Sequence, residues 1–176
     1  MNPSTCLSLF LTISLIFNSH AITPKSNSNL YKNVCKDAGK DNQRCLKLLS
    51  PNPKITSAKD YLTLSKLFLE MAIEKATKGQ DYLKTLIKEF PSSHAIKNCA
   101  TSDYDGLVMS FRSSLGELVV DPISANYDAR VAGDGPQACD RELANEKIVN
   151  PSISKMNNEM TFLSDVAYLA TNYLRK

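Results

Sequence analysis

Apolar side chains recur at intervals of three and four residues over four long segments, a spacing that places them on one face of an α-helix. The segments are 57–90, 94–119, 122–147 and 151–176. The last has the clearest pattern, with Ile153, Met156, Met160, Leu163, Ala167, Ala170 and Leu174. Four amphipathic helices with short connections predict an all-α fold, an up-down-up-down four-helix bundle.

Two of these helices begin with the same device, a capping side chain followed by a proline that suits the first helical turn. Asp121-Pro122 starts the third helix, and Asn150-Pro151 starts the fourth. Pro91 ends the first helix, because proline cannot continue a helix beyond its first turn.

The stretch RVAGDGPQACDREL, residues 130–143, combines two glycines, a proline and a lone cysteine. A phosphate-binding loop would follow a strand, and no strand is predicted before this stretch. Pro136 lacks a backbone donor, so we expect the third helix to break before it and to resume from Gln137 to about Lys147. Cys139 then lies where a disulfide to Cys99 would hold the interrupted helix against the preceding one.

The amino-terminal run LSLFLTISLIF, residues 7–17, is uncharged and too short to span a bilayer as a helix. Ser19 and Ala21 then place small residues at the two positions that a signal peptidase checks, which predicts a secretory signal peptide over residues 1–21. The alternative is a buried amino-terminal core helix. We expect a soluble mature chain of one domain, residues 22–176, with a helical hairpin extension at 22–55 and the bundle at 56–176.

Cys6 leaves with the signal peptide, and four cysteines remain in the mature chain. An even number in a secreted chain favours two disulfides, and four cysteines allow three pairings. Ahead of the bundle we predict a short helical hairpin closed by Cys35–Cys45. The Cys99–Cys139 bond described above would be the second.

The side chains that most enzymes require are sparse. His94 is the one histidine of the mature chain, so no histidine pair is present to bind a metal. Motifs for a nucleophile elbow, a glycine-rich phosphate loop or a zinc protease are absent. The net charge of +3 is mild and its cations are interspersed with acids, which does not favour nucleic-acid binding. We therefore expect a protein that is not an enzyme and has no metal or cofactor.

The cysteine framework and the bundle together resemble the plant invertase and pectin methylesterase inhibitor family. The residues that carry the resemblance span the mature chain. They are Cys35, Cys45-Leu46-Lys47-Leu48-Leu49, Asn98-Cys99, Ser124-Ala125-Asn126, Gln137-Ala138-Cys139-Asp140, Ile148-Val149-Asn150-Pro151 and Leu163-Ser164-Asp165-Val166-Ala167. The branch that includes pollen allergens and invertase inhibitors is the most similar.

The resemblance implies a secreted inhibitor that binds its enzyme one to one over the substrate cleft. It implies an apoplastic or cell-wall location, with the vacuole as an alternative, a free state that is monomeric, and no membrane in the mature form. Pectin methylesterase is the favoured target and invertase the alternative. A second alternative is a secreted helical bundle, such as a lipid carrier, that kept the fold without inhibitory activity.

The chain departs from the family pattern at several positions. Invertase inhibitors insert a Pro-Lys-Phe segment into their target, and here Pro122-Ile123-Ser124 stands in its place. Pectin methylesterase inhibitors often carry Thr followed by an acidic stretch ahead of the last cysteine. Here Ala138 replaces that Thr, Asp134 and Asp140 remain, and Arg141 brings the opposite charge. The spacing from Cys99 to Tyr104 and the spacing from Cys35 to Cys45 are each one residue longer than the family pattern leads us to expect. The partner-interface residues that we expect are Pro122, Tyr127, Arg130 and Asp134.

Overall fold

The computed structural model describes residues 29–175, so the predicted signal peptide, residues 1–21, lies outside the described residues. The α-helices are α1 Leu30–Asp37, α2 Asn42–Leu49, α3 Pro53–Thr56, α4 Tyr61–Leu86, α5 His94–Asn98, α6 Tyr104–Glu117, α7 Pro122–Val131, α8 Asp134–Asn145 and α9 Pro151–Asn172. A 3₁₀ turn at Gly39–Asp41 joins α1 to α2, and a π-helical turn at Cys99–Asp103 joins α5 to α6. No described helix is both long and apolar enough to cross a membrane.

Helices α4, α6, α7 and α9 form the predicted four-helix bundle. Each packs against two neighbours in the cycle α4–α6–α7–α9–α4. Phe68 of α4, Phe111 of α6 and Leu163 of α9 are fully buried along the bundle axis. The apolar faces inferred from the periodicity of three and four residues are therefore the faces that meet in the core.

Helix α4 is shorter than the predicted 57–90. Its N-cap is Asp60, whose extended backbone lets the carboxylate Oδ1 accept a hydrogen bond from the Thr63 N–H at 2.7 Å. Residues Thr56 and Ser57 instead end the short helix α3. At the other end the helix stops at Leu86, and the next residues form a turn ahead of Pro91.

The second bundle helix was expected to be continuous from residue 94, and it is interrupted by the π-helical turn at Cys99–Asp103. A π turn holds one more residue than an α turn, because its hydrogen bonds span five residues instead of four. The turn therefore provides room for the extra residue that the family pattern leads us to expect between Cys99 and Tyr104. Gln80 Nε2 on α4 donates to the Ala100 carbonyl at 3.2 Å and so covers part of the loosened backbone.

The third predicted helix divides into α7 and α8, as the glycine and proline content of the segment indicates. Helix α8 begins at Asp134, three residues earlier than the predicted Gln137. Pro136 fits there because the backbone donors of a first helical turn have no partner within the helix. The break itself lies at Ala132 and Gly133, where α7 ends.

The amino-terminal hairpin is present as predicted, with α1 and α2 joined by the Cys35–Cys45 disulfide. It docks at the end of the bundle where α4 begins and α9 ends. The Tyr61 and Tyr173 rings stack with centroids 4.0 Å apart, and the Tyr173 hydroxyl donates to Asp37 Oδ2 at 2.6 Å. Helix α9 ends at Asn172, so Tyr173 is free to turn toward the hairpin.

Candidate partner-binding surface

The start of α7 is held rigidly by its N-cap. Asp121 Oδ1 accepts hydrogen bonds from the backbone N–H groups of Ile123 and Ser124 at 3.2 and 3.1 Å. Its Oδ2 accepts from the Ser124 hydroxyl at 2.7 Å. These hydrogen bonds, that of the Ser124 side chain foremost, lower the pKa of Asp121, so the cap stays ionised and fixes Pro122 in the first turn.

Large apolar side chains are exposed around this helix start. Val119 and Val120, in the turn after α6, are 73% and 81% exposed, and Ile123 and Tyr127, one turn apart on α7, are 65% and 66% exposed. We call these four residues the α7 apolar patch. Because Ile123 and Tyr127 are four residues apart, their side chains lie on the same face of the helix.

Acidic groups border the α7 apolar patch. Glu117, at the end of α6, faces Asp128 of α7, with Asp121 nearby. Loss of hydration, followed by the negative charge of Asp128, raises the pKa of the Glu117 carboxyl. The patch is thus an apolar surface with a negatively charged edge.

Helix α7 can pack closely on α9 because its inner face carries small residues. Ala125 and Ala129 are fully buried there. The Ser164 hydroxyl of α9 donates to the Ala129 and Arg130 carbonyls at 2.8 and 2.9 Å, and a Cβ placed on Gly133 would lie 3.0 Å from that hydroxyl oxygen. These contacts orient the outer face of α7, which carries the patch, relative to the bundle.

Arg130 is held on the flank of α7 by two contacts with α9. Its Nη1 is 2.5 Å from Asp165 Oδ1, and its guanidinium carbon lies 5.4 Å from the centre of the Tyr168 ring. The Arg130 side chain is 59% exposed and that of Asp165 is 50% exposed. Because exposed ion pairs contribute little stability, the pair orients Arg130 more than it stabilises the fold. Arg130 lines a cleft toward the hairpin, together with Asp37 and Asp41.

Asp134 lies in another cleft, between the π-helical turn and α8, whose lining includes Ser102, Asp103 and Arg141. The structure therefore does not bring the four expected interface residues to one place. Tyr127 joins the patch, Pro122 forms its half-buried base, Arg130 turns toward α9, and Asp134 faces the second cleft.

Two carboxyl groups meet beneath that second cleft. Asp103 Oδ2 and Glu142 Oε2 are buried, and neither has a hydrogen-bond partner among the described residues. Burial, and then the negative charge of Glu142, raise the pKa of Asp103 to about 6, although the positive charge of Arg141 acts in the opposite direction. One proton held on Asp103 would relieve the repulsion within the pair.

The Cys99–Cys139 disulfide lies beside this pair and joins the π-helical turn to α8. Asp103 and the two sulfurs are close enough together to suggest a metal site. The sulfurs are bonded to each other, however, and a disulfide has no thiolate to coordinate a metal ion. The cluster is therefore better described as a structural cross-link than as a metal centre.

Tyr127 was expected at an interface from the sequence, and the structure exposes it together with Ile123, Val119 and Val120. The two valines were not singled out from the sequence. A usable signal was present, since two adjacent valines precede a helix cap, where a turn normally carries polar residues. The burial of one carboxyl oxygen each of Asp103 and Glu142 could not be read from the sequence, because both residues fall on positions that helical spacing assigns to a solvated face.

Similar solved structures include two that are described as pectin methylesterase inhibitor structures from Arabidopsis. One, of a mutant form A, aligns over 82% of this chain and 96% of its own, with a TM-score of 0.70 and 20% identity. The other, from Arabidopsis thaliana, aligns over 85% of this chain and 99% of its own, with a TM-score of 0.61 and 20% identity. At that identity the likeness shows the fold alone.

No curated protein matches the sequence. The family described as plant invertase/pectin methylesterase inhibitor matches residues 29–175, which is the whole of the part that the structure describes. The match includes both cysteine pairs, the hairpin and the bundle. The chain therefore belongs to the plant invertase/pectin methylesterase inhibitor family.

Proposed function

We propose that this protein is a secreted, non-catalytic inhibitor of a pectin methylesterase and that it binds the enzyme one to one over the substrate cleft. Family membership supports inhibition of a pectin methylesterase or an invertase. The observation that carries the proposal further is the α7 apolar patch, which exposes large side chains on a rigid helix start. The two disulfides are consistent with secretion, because disulfides persist in oxidising compartments.

The patch has the composition of the centre of a protein interface. Stable interfaces of standard size bury about 1,600 Å² in total and depend on a few central anchors, among which tyrosine is enriched. Tyr127 and Ile123 serve as anchors, and the neighbouring acids form a polar rim. Capping by Asp121 reduces the entropy lost on binding, because the helix start is already ordered.

The inhibitory surface in this proposal includes the expected residues Pro122 and Tyr127 at its centre. Arg130, held by Asp165, and Asp134, in its separate cleft, contribute at the edges. Rim charges affect the rate of association more than the final affinity. We therefore assign the main loss of binding to substitutions at Ile123 and Tyr127.

Invertase is the second candidate target. Pro122 begins α7 directly after the α6–α7 connection, which is where the resemblance places the segment that enters invertase. Ile123 follows it in place of a lysine, so the cation that would meet the acidic active-site groups of an invertase is missing. This difference favours pectin methylesterase as the target.

A carrier function fits the structure less well. A lipid carrier needs an apolar cavity, and the centre of this bundle is filled by Phe68, Phe111 and Tyr104, all fully buried. The clefts described above are open to solvent and have polar groups on their walls.

A paired titration tests the proposal. The mature protein is titrated into a plant pectin methylesterase and into an acid invertase, both at mildly acidic pH. We expect stoichiometric loss of pectin methylesterase activity at one inhibitor per enzyme, and no loss of invertase activity. Inhibition of invertase alone would transfer the function to the second candidate, and inhibition of neither would leave only the fold in common with the family.

Two matched substitutions test the patch. Ile123→Asp places a charge in the α7 apolar patch, and Val149→Asp places the same charge on another exposed valine, in the loop between α8 and α9. We expect Ile123→Asp to raise the inhibition constant by about tenfold or more, as for a central anchor worth more than 1 kcal/mol. Val149→Asp should leave it within about twofold. Equal effects of the two would place the binding surface elsewhere.

A further inference from the structure

A second surface feature is a basic cleft between the hairpin helix α2 and the bundle helix α9. Its volume is about 410 Å³, and its lining residues are Arg44, Lys47, Leu48, Lys155, Asn158, Glu159 and Phe162. On each helix these positions are three or four residues apart, so two helical faces form the opposing walls. None of the lining residues belongs to α6, α7 or α8, so the cleft is distinct from the α7 apolar patch.

Arg44 is held in a defined position within this cleft. Its guanidinium carbon lies 3.9 Å from the centre of the Phe162 ring, and its Nη2 donates to Asn158 Oδ1 at 2.8 Å and to the Asn158 carbonyl at 3.1 Å. Within the part of the chain that the structure describes, only Nη2 of this guanidinium has a hydrogen-bond partner. The remaining N–H groups of a planar, pre-oriented guanidinium suit a carboxylate.

The other charges leave the cleft positive. Lys47 and Lys155 are exposed, one on each wall, and neither forms an ion pair with a described residue. Glu159 is the one acid in the lining, and it is neutralised by Lys75, whose Nζ lies 2.7 Å from Glu159 Oε1. Three cations therefore face the opening, and the one acid in the lining is paired with Lys75.

We propose that this basic cleft binds a polyuronate, an acidic polysaccharide chain whose carboxylates are free. The choice of ligand rests on the proposed function, because a pectin methylesterase hydrolyses methyl esters and leaves carboxylates on the polymer. An extended polyanion fits the cleft better than a single phosphate does, because the cations are spread over two walls and the opening is wide. Binding there would hold the inhibitor on the polymer where the enzyme has acted.

Titration calorimetry at low salt tests this inference with the mature, disulfide-bonded protein. The ligands are an oligogalacturonate and its fully methyl-esterified form of the same length. We expect binding to the free acid alone, with an affinity that falls steadily as salt rises, because association releases the counterions of the polyanion. The double variant Lys47→Glu/Lys155→Glu should weaken binding by roughly tenfold or more.

The matched control is Lys84→Glu/Lys88→Glu, which reverses two exposed charges at the end of α4 and has the same net charge. We expect it to change the affinity by about twofold at most, and thermal unfolding should confirm that both variants are folded. Equal weakening by the two variants, or equal binding of the methyl ester, would overturn the inference. Equal affinity for a single-stranded DNA of similar charge would also overturn it, by showing general polyanion binding.

The experiment separates this inference from the proposed function, since no enzyme is present in the titration. A protein that inhibits pectin methylesterase and ignores oligogalacturonate contradicts the basic cleft alone. A protein that binds oligogalacturonate and inhibits neither enzyme contradicts the proposed function alone.

Discussion

Gly135 is the most closely packed of the glycines that the structure describes. A Cβ built on it would overlap the Asp103 carbonyl oxygen, which belongs to the backbone of the π-helical turn and cannot rotate away. We predict that Gly135→Ala destabilises the protein by about 1–3 kcal/mol, as forced overpacking does. Urea unfolding of the oxidised protein measures the change.

The control for this substitution is Gly116→Ala. Gly116 also lies in a helix, α6, but a Cβ there would meet nothing within 4 Å. It should stabilise the protein by about 0.5–1 kcal/mol, because alanine loses less backbone entropy than glycine in a helix. If both variants lost stability equally, close contact at Gly135 would not be the cause.

Asp103 makes stability depend on pH in a direction that its pKa determines. In the folded state burial, and then Glu142, raise its pKa from the ordinary 3.8 to about 6. Because the folded-state pKa of Asp103 lies above its ordinary value, the protonated carboxyl gives its full stabilisation below that ordinary value. This stabilisation is lost as the pH rises through about 6. We predict that the melting temperature of the wild type falls between pH values of about 4 and 7.

Asp103→Asn tests this assignment, because the amide cannot ionise and keeps nearly the same shape. We expect a smaller decrease in melting temperature over the same pH range. Asp81→Asn, on the exposed face of α4, serves as the control and should retain the slope of the wild type. An unchanged slope in Asp103→Asn would mean that other groups set the pH dependence.

At the scale of elements, the Cys99–Cys139 bond connects α8 to the rest of the molecule. It closes a loop of 40 residues, whereas Cys35–Cys45 closes one of 10. In the chain-entropy model these bonds contribute about 4 and somewhat under 3 kcal/mol respectively. We predict that replacing both Cys99 and Cys139 with serine lowers the free energy of unfolding by up to about 4 kcal/mol.

Hydrogen exchange distinguishes a local effect from a global one in that double variant. Amides of α8 should lose protection first, because α8 contributes few large apolar side chains to the core. Amides at the centre of α4 should remain protected until global unfolding. If α8 stayed as protected as α4, the disulfide would not be what holds it in place.

At the scale of the whole molecule, a polar network within the core fixes how the elements fit together. The Tyr104 hydroxyl of α6 donates to Asn157 Oδ1 of α9 at 2.7 Å, and Asn157 Nδ2 donates to Asp140 Oδ1 of α8 at 2.7 Å. Burial raises the pKa of Tyr104, so its hydroxyl stays a donor. A Cβ on Gly79 would lie 3.0 Å from the Tyr104 ring, so this glycine of α4 makes room for the network.

The bundle as a whole presents two different surfaces to its surroundings. The α7 apolar patch lies on the α6–α7 side, and the basic cleft lies between α2 and α9. If both surfaces bind as proposed, the packed core between them allows each to bind without rearranging the other. The hairpin would then take part in binding at the basic cleft, since Arg44 and Lys47 of α2 line it.

The sequence by itself determined the helices, their approximate order and the cysteine framework, because these depend on local rules. Helical periodicity, the caps at Asp121 and Asn150, and the break before Pro136 act within a few residues of each other. The expected ends were less accurate. The start of α4 at Tyr61 depends on the Asp60 carboxylate, rather than Thr56 or Ser57, accepting from the backbone donors. The early start of α8 at Asp134 has no side-chain cap, and its N-cap is Gly133.

Only the tertiary structure decided how the surfaces are composed. The contact between the half-buried carboxyl groups of Asp103 and Glu142 joins residues far apart in the chain, as does the facing of α2 and α9. The clefts that separate Arg130 and Asp134 are likewise lined by residues from several elements. Helical spacing shows which residues share a face of one helix. It does not show which neighbour covers that face, because the answer depends on how closely small residues allow two helices to approach.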